Sequence, residues 1–385
     1  VHEEQHPVSK PSDGKPKRGS ALKGAALVIV ATCVALALVE SVLRIFGMYR
    51  PEAYPPPPRR PDLFVSDSTI GYHLWPSTRT CMRYPSDTHR MVTLISNSDG
   101  LASSRELGEP DPRPRVLVIG DSFTMGLGVS EGERYTEVVE ELEPRWRVDN
   151  MGMPGWGLDL MTRALAALGE KARPDVVVLA VYTEVFARLS PQWLGQGATP
   201  FRKYALVDGK LVDGAPYQPS FWSALHLVEL ARTVQARAGG TQARNRYPLN
   251  EALLDRFYDL TKTLNATPVV VFFPGTDDTP QGRERRGFLA AWAEKKGVVY
   301  GDFTDAIHTA GVDKTYIPRN THWNEFGHEV AGRALHHLLA TKVLQGRGSE
   351  IDARSLPAPP WRQTADYCSD KAVTPEPSAR ADTQP

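Results

Sequence analysis

The chain has 385 residues, and its 45 basic side chains balance 45 acidic ones, for a formal net charge of zero. With no basic block to follow a phosphate backbone, a nucleic-acid partner is excluded. Its 3 cysteines and 10 histidines fall at no zinc-site spacing, and His328-Glu329 lacks the second histidine of a zincin helix, so neither metal nor cofactor is expected.

Residues 1–23 are polar, charged and proline-containing, and read as disordered. An unbroken run of apolar and small residues follows at 24–39; Glu40 interrupts it, and Val42-Leu43-Arg44-Ile45-Phe46 continues it. The clean run is shorter than the ~20 residues that span a bilayer. Extension to Phe46 supplies the length, with Glu40 and Arg44 snorkelling at the interface. A transmembrane helix over 24–46 is therefore expected. The competing readings are a cleaved signal peptide, for which no convincing small-x-small site follows the run before Glu40, and a buried core helix. Lys10, Lys15, Lys17, Arg18 and Lys23 precede the run, and Arg44, Arg50, Arg59 and Arg60 follow it. That narrow excess favours a single-pass topology with a cytoplasmic N-terminus and the bulk of the chain outside.

Residues 47–61 form a linker, stiffened by Pro55-Pro56-Pro57-Pro58. Residues 62–114 read as a small β-rich lead-in, with a strand at 91–95 and a turn at Asn97-Ser98-Asp99-Gly100. From 115 to 345 strands and helices alternate. Strands are expected at 115–119, 147–150, 176–181, 268–273 and 298–300; the third is six apolar residues in a row, as a central parallel strand requires. Helices are expected after the capping box Ser130-x-x-Glu133 and at 158–171, 253–264 and 288–295. Asn324 caps a closing helix whose buried face is read as Phe326, Val330, Ala334 and Leu338. An insertion at about 190–247 carries a hairpin at 204–212 turning on Asp208-Gly209, together with Trp193, Phe201, Tyr217, Phe221 and Trp222. Residues 346–385 read as a mobile tail. The fold class is α/β: a parallel sheet of about five strands, helices on both faces, preceded by one transmembrane helix.

Three blocks carry the chemistry. In the first, the strand 115–119 runs into Gly120-Asp121-Ser122, which places Ser122 beyond the carboxyl end of a strand, where open parallel sheets hold their sites. Taken alone, that serine equally fits a plain helix cap. The second block, Asn150-Met151-Gly152-Met153-Pro154-Gly155, is a strand entering a glycine turn. The third is Asn320-Thr321-His322-Trp323-Asn324-x-x-Gly327-His328. In this order the blocks resemble the SGNH (GDSL-type) hydrolase superfamily over roughly residues 115–339. The resemblance implies Ser122 as nucleophile and His322 as its base, with oxyanion donors from the backbone of Ser122 and from Gly155.

Two positions depart from the family pattern. No asparagine follows the strand 176–181; Thr183 is the hydroxyl that stands there as an oxyanion donor. Asn320 occupies the position of the triad acid, two residues before His322, and an amide brings no charge to stabilise imidazolium. The glycines at 120, 126 and 128 fit neither a Rossmann nor a P-loop spacing, and Thr124 breaks Gly-x-Ser-x-Gly.

Three functions fit: a membrane-anchored esterase or deacylase acting on an O-acyl ester of a cell-surface glycan or lipid, an O-acyltransferase on polysaccharide, and a non-catalytic SGNH domain that binds a glycan or partner. An extracytoplasmic site would also permit Cys81 and Cys368 to meet as a disulfide.

Overall fold

The computed structural model describes residues 18–48, 62–84, 91–189, 195–196, 201–214, 222, 225–238, 247–363 and 368. The extreme N-terminus, Pro55–Pro58, and the insertion residues Trp193, Tyr217 and Phe221 lie outside these. The chain divides into two compact units, one of residues 1–54 with 219–240, the other of residues 55–218 with 241–385.

In the smaller unit, α1 (Arg18–Ile45) is long and apolar enough over Lys23–Ile45 to cross a membrane, and its side chains are exposed almost throughout.

The larger unit opens with two antiparallel ribbons. β1 (Phe64–Asp67) pairs with β2 (Gly71–Leu74), and β3 (Arg79–Arg83) pairs with β4 (Met91–Ile95). A five-stranded parallel sheet follows, in the order β11-β10-β7-β5-β6. Its strands are β5 (Arg115–Gly120), β6 (Arg147–Gly152), β7 (Val176–Tyr182), β10 (Thr267–Phe273) and β11 (Val299–Asp302). Every residue of β5, β6 and β7 is buried, as strands covered on both faces must be. The helices between the strands are α2 (Ser122–Met125), α3 (Tyr135–Leu142), α4 (Leu158–Ala172), α6 (Tyr247–Thr263) and α7 (Pro280–Lys296), and α8 (Thr304–Ala310), α9 (Val312–Thr315) and α10 (Glu325–Lys342) follow the last strand. α3 packs on α10, and α4 on α6. β8 (Tyr204–Val207) and β9 (Lys210–Asp213) form the expected hairpin, with Asp208 at φ 51° and Gly209 at φ 72°, the pair of positive angles that a tight hairpin turn demands. The remaining helix, α5 (His226–Ala238), belongs to the smaller unit.

Three local expectations are corrected. The carboxylate of Glu133 does accept from the Ser130 N–H at 2.7 Å, but the Ser130 hydroxyl accepts from Thr93 of β4 instead of capping a helix, and α3 starts only at Tyr135. α7 begins eight residues before the expected 288, where Thr279 accepts from Gly282 and Pro280 sits in the first turn. The buried side of α10 is Gly327, His328, Ala331, Gly332, Leu335 and Leu339, and Phe326 is 43% exposed. The two glycines are the reason. A Cβ on Gly332 would strike Val138 of α3, and one on Gly327 would strike Trp323, so the helix presents its smallest residues where it packs closest.

The C-terminal segment, read as mobile, is largely exposed where it is described but is pinned to the larger unit at two points. Trp361 is buried beneath the guanidinium of Arg105, 4.7 Å from the ring centre, and Cys368 forms a disulfide with Cys81 of β3.

Candidate active site

β5 and β7 are the strands from which the chain departs in opposite directions, β6 lying on one side and β10 and β11 on the other. Such a switch point opens a crevice at the carboxyl ends of the strands. Ser122 stands there, the first residue of α2, immediately after β5. Asp121 caps α2 by accepting from the Phe123 N–H at 3.1 Å, while its other oxygen holds Arg188 at 2.8 Å. Gly152 closes the seat from β6: a Cβ there would collide with the backbone of Met125, so only glycine lets β6 and α2 approach this closely. Asn150 ties the same junction, donating to the Thr124 carbonyl at 2.5 Å and accepting from the Gly152 N–H at 2.9 Å.

His322 arrives on the loop between α9 and α10. Tyr316 and Trp323 bridge across that loop, the Ile317 N–H donates to the His322 carbonyl at 2.9 Å, and Asn324 caps α10 by accepting from Gly327 at 3.0 Å. Trp323 is fully buried and meets Phe123 edge-on at 4.8 Å, which fixes the direction of the neighbouring imidazole. The ring of Phe123 lies 5.3 Å from that imidazole.

The result is a hydrogen-bonded chain. His322 Nε2 lies 2.8 Å from Ser122 Oγ, and Nδ1 lies 2.8 Å from Asn320 Oδ1. The orientation of the amide is dictated by its surroundings, because the backbone N–H of His322 also donates to Oδ1 at 3.0 Å. A main-chain N–H can only donate, so the oxygen and not the NH2 group must face the histidine. Nδ1 then carries the proton and Nε2 is left to accept from the serine. Burial pushes the His322 pKa down to about 4, with Asp121 opposing that fall and Arg188 adding to it. The imidazole is therefore neutral, and competent as a base, at physiological pH.

Tyr84 and Arg188 were not among the residues expected here. The Tyr84 hydroxyl, just after β3, lies 3.2 Å from His322 Nδ1, with the two rings edge to face at 5.8 Å. Burial holds this phenol above its usual range, so it meets the imidazole as a neutral dipole. Arg188 follows the short 3-10 helix Thr183–Ala187 after β7 and is anchored by Asp121 and by the Trp156 carbonyl at 2.9 Å. Neither had a local signal. Tyr84 is brought in by ribbon pairing, and Arg188 lies beyond the residues just after strand 176–181, where the family pattern has an asparagine.

Ser122, His322, Gly155, Tyr84 and Arg188 line one cavity of about 260 Å³, whose other walls are mostly Leu63, Phe64, Met82, Met125 and Leu127. Gly155 has φ +82°, a conformation that glycine adopts without strain. Thr183 does not line this cavity. Its hydroxyl is buried beside Gly275 and Gly282 in a separate narrow hollow that also borders Asp277 and His308. Among the described residues no cluster of metal-binding side chains occurs.

The three sequence blocks thus converge at one edge of the sheet. Similar folds occur among solved structures. A member of the lipolytic G-D-S-L family from Veillonella parvula is 14% identical, with a TM-score of 0.38, the match covering 59% of this chain and 98% of that one. The psychrotrophic esterase EstA from Pseudoalteromonas sp. is 12% identical at a TM-score of 0.38, over 59% and 96% of the two chains. A carbohydrate acetylesterase family member from Sinorhizobium meliloti is 13% identical at 0.37, over 60% and 99%. No family model and no curated protein matches the chain. Likenesses this faint carry no functional argument; the residues at the cavity do.

Proposed function

We propose that the chain is a membrane-anchored, SGNH-type serine hydrolase acting on an O-acyl ester outside the cytoplasm. The observation that carries this reading is the 2.8 Å contact between Ser122 Oγ and a half-buried, neutral His322 whose far nitrogen is held by Asn320. Such a base takes the serine proton as Oγ adds to the ester carbonyl carbon. The tetrahedral oxyanion is met by the Ser122 and Gly155 N–H groups, with Arg188 as the nearby cation. Collapse expels the alcohol, which takes its proton back from Nε2, and water then releases the acid from Ser122 by the same route.

The apolar walls support an aliphatic acyl group, and a cell-surface glycan or lipid bearing such an ester suits an enzyme anchored by α1. The Cys81–Cys368 disulfide supports placement in an oxidising compartment. Asn320 favours one other reading, a domain that binds such a group without turnover, because no carboxylate stabilises the imidazolium that turnover requires. Purified protein incubated with p-nitrophenyl esters tests the choice. Hydrolysis that disappears in Ser122→Ala supports the enzyme; silence toward every ester, with the ligand still bound, supports the binding domain.

A further inference from the structure

The smaller unit joins two segments that are distant in sequence. The carboxylate of Glu40, on α1, accepts from the backbone N–H groups of His226 at 3.1 Å and Leu227 at 2.8 Å, at the start of α5. His226 Nδ1 lies 2.6 Å from the Met48 carbonyl, and Arg44 donates to Glu40 at 2.7 Å. The acid that interrupts the apolar run is therefore the anion at the N-terminus of another helix. That position satisfies N–H groups left open in a first helical turn and complements the helix dipole. Leu43 is buried at this junction, whereas Leu38, Val39 and Val42 beside it are exposed.

The depth of α5 follows from α1. Glu40 precedes Ile45 by about 1.4 turns, about 7.5 Å along the axis. The 23 residues of Lys23–Ile45 extend about 35 Å, slightly beyond a hydrocarbon layer of ~30 Å. When α1 spans a bilayer, Glu40 lies close to the edge of that layer, and the first turn of α5 is held at the same level. Among the described side chains of the segment, two large apolar ones are exposed: Trp222, whose carbonyl accepts from Leu225, at 64%, and Val234 at 55%. Leu227, Val228 and Leu230 are half-buried, as are the polar His226 before them and Glu229 between them. A tryptophan and aliphatic side chains at that height match the interface between headgroups and acyl chains.

We infer that α5, with Trp222, is a second membrane-contact element: it lies in the headgroup–acyl boundary of the bilayer that α1 spans, and Glu40 sets its depth. The inference rests on α1 being an anchor. Its partner is a phospholipid surface, because the helix that positions α5 is itself exposed along its apolar length.

The test uses the full chain with Cys33→Ser, reconstituted in phosphatidylcholine–phosphatidylglycerol vesicles, with the disulfide left intact. A nitroxide at Val234→Cys is compared with one at Val30→Cys in α1 and one at Asp208→Cys in the exposed hairpin turn, by collision with oxygen and with a nickel chelate. The labels at 30 and 234 should favour oxygen and the label at 208 nickel. Adding Glu40→Ala should move the label at 234 toward nickel; no movement removes Glu40 as the group that sets the depth. A label at 234 that matches the one at 208, beside a lipid-embedded label at 30, overturns the inference and leaves the anchor standing. A label at 30 in water overturns both.

Discussion

The hydroxyl of Tyr84 lies 3.2 Å from Nδ1 of His322, although 238 residues separate them in the chain. Asn320 Oδ1 reaches the same nitrogen at 2.8 Å. Where a serine hydrolase usually sets one charged oxygen, this site sets two neutral ones. Tyr84→Phe keeps the ring against His322 and removes one of them. A single hydrogen bond contributes ~0.5–1.5 kcal/mol, so kcat should fall about threefold to tenfold while KM changes little. Steady-state kinetics on a short-chain ester check this, and a kcat equal to wild type would assign Tyr84 to the cavity wall alone.

Asn320→Asp supplies the missing charge. Ester hydrolysis should rise by about tenfold or more, on the order of 1.4 kcal/mol of barrier. Ser122→Ala in that background should abolish the gain. Tyr84→Phe should cost less there than in wild type, because a carboxylate leaves less for the phenol to contribute. Equal costs in the two backgrounds would mean that the two oxygens act independently.

The pH dependence has a definite sign. His322 must be neutral to act as a base, and burial sets its pKa at about 4. The acid limb of kcat/KM should therefore fall near pH 4, with no decline between about pH 5 and 7. A carboxylate at 320 favours the imidazolium, so Asn320→Asp should move that limb upward. A wild-type limb near 6.5 would show the imidazole to be far better hydrated than its 2.8 Å contacts imply.

Folding stability follows the same logic at His328. This fully buried ring stacks on Tyr135 with centroids 6.1 Å apart, its Nδ1 accepts from the Tyr135 N–H at 3.3 Å, and burial lowers its pKa to about 3. The unfolded chain protonates near 6.5 and the native state only near 3, so the contribution is complete above about 6.5 and is lost as pH falls toward 3. Urea midpoints measured between about pH 4 and 6 should fall with acidity, by at most ~1.4 kcal/mol per pH unit for this one group. His328→Gln should flatten that slope whatever it does to absolute stability.

Breaking the covalent link is the last test. Cys81→Ser with Cys368→Ser should destabilise the larger unit by about 2–5 kcal/mol, read from urea midpoints. Because Cys81 lies three residues before Tyr84, activity in the double variant should fall toward that of Tyr84→Phe. Unchanged kinetics would show that β3 is held by its pairing with β4 alone.

The sheet was legible in the sequence because its strands are buried on both faces: 115–119 and 176–181 are apolar at nearly every position, and both fall within observed strands. Ser122 and His322 were legible through the resemblance of their blocks to the SGNH pattern; the end of a strand alone left Ser122 equally a helix cap, and His322 alone reads as a surface histidine before a helix. Less local features were not. The first turns of α7 carry Arg283, Glu284, Arg285 and Arg286, whose charges hide any helical period, although Thr279-Pro280 was a readable start. The face of α10 was misjudged because size and not hydrophobicity decides it: Gly327 and Gly332 go inside and Phe326 stays out. Tyr84 reaches the site only through pairing with β4 and a bond to Cys368, 287 residues beyond Cys81, and no window of sequence holds both ends of such a link.

That bond has a consequence for the fate of the chain once it is cut. All five strands of the sheet, Ser122, His322 and the whole insertion lie between Cys81 and Cys368. The disulfide makes this stretch a closed ring. A protease that cleaves once anywhere inside it, for instance on the surface of the insertion, opens the ring without releasing a fragment. The cleaved protein keeps its mass on a non-reducing gel and separates into two pieces only after thiol treatment. A single cut therefore leaves the serine-bearing and histidine-bearing parts of the molecule covalently joined.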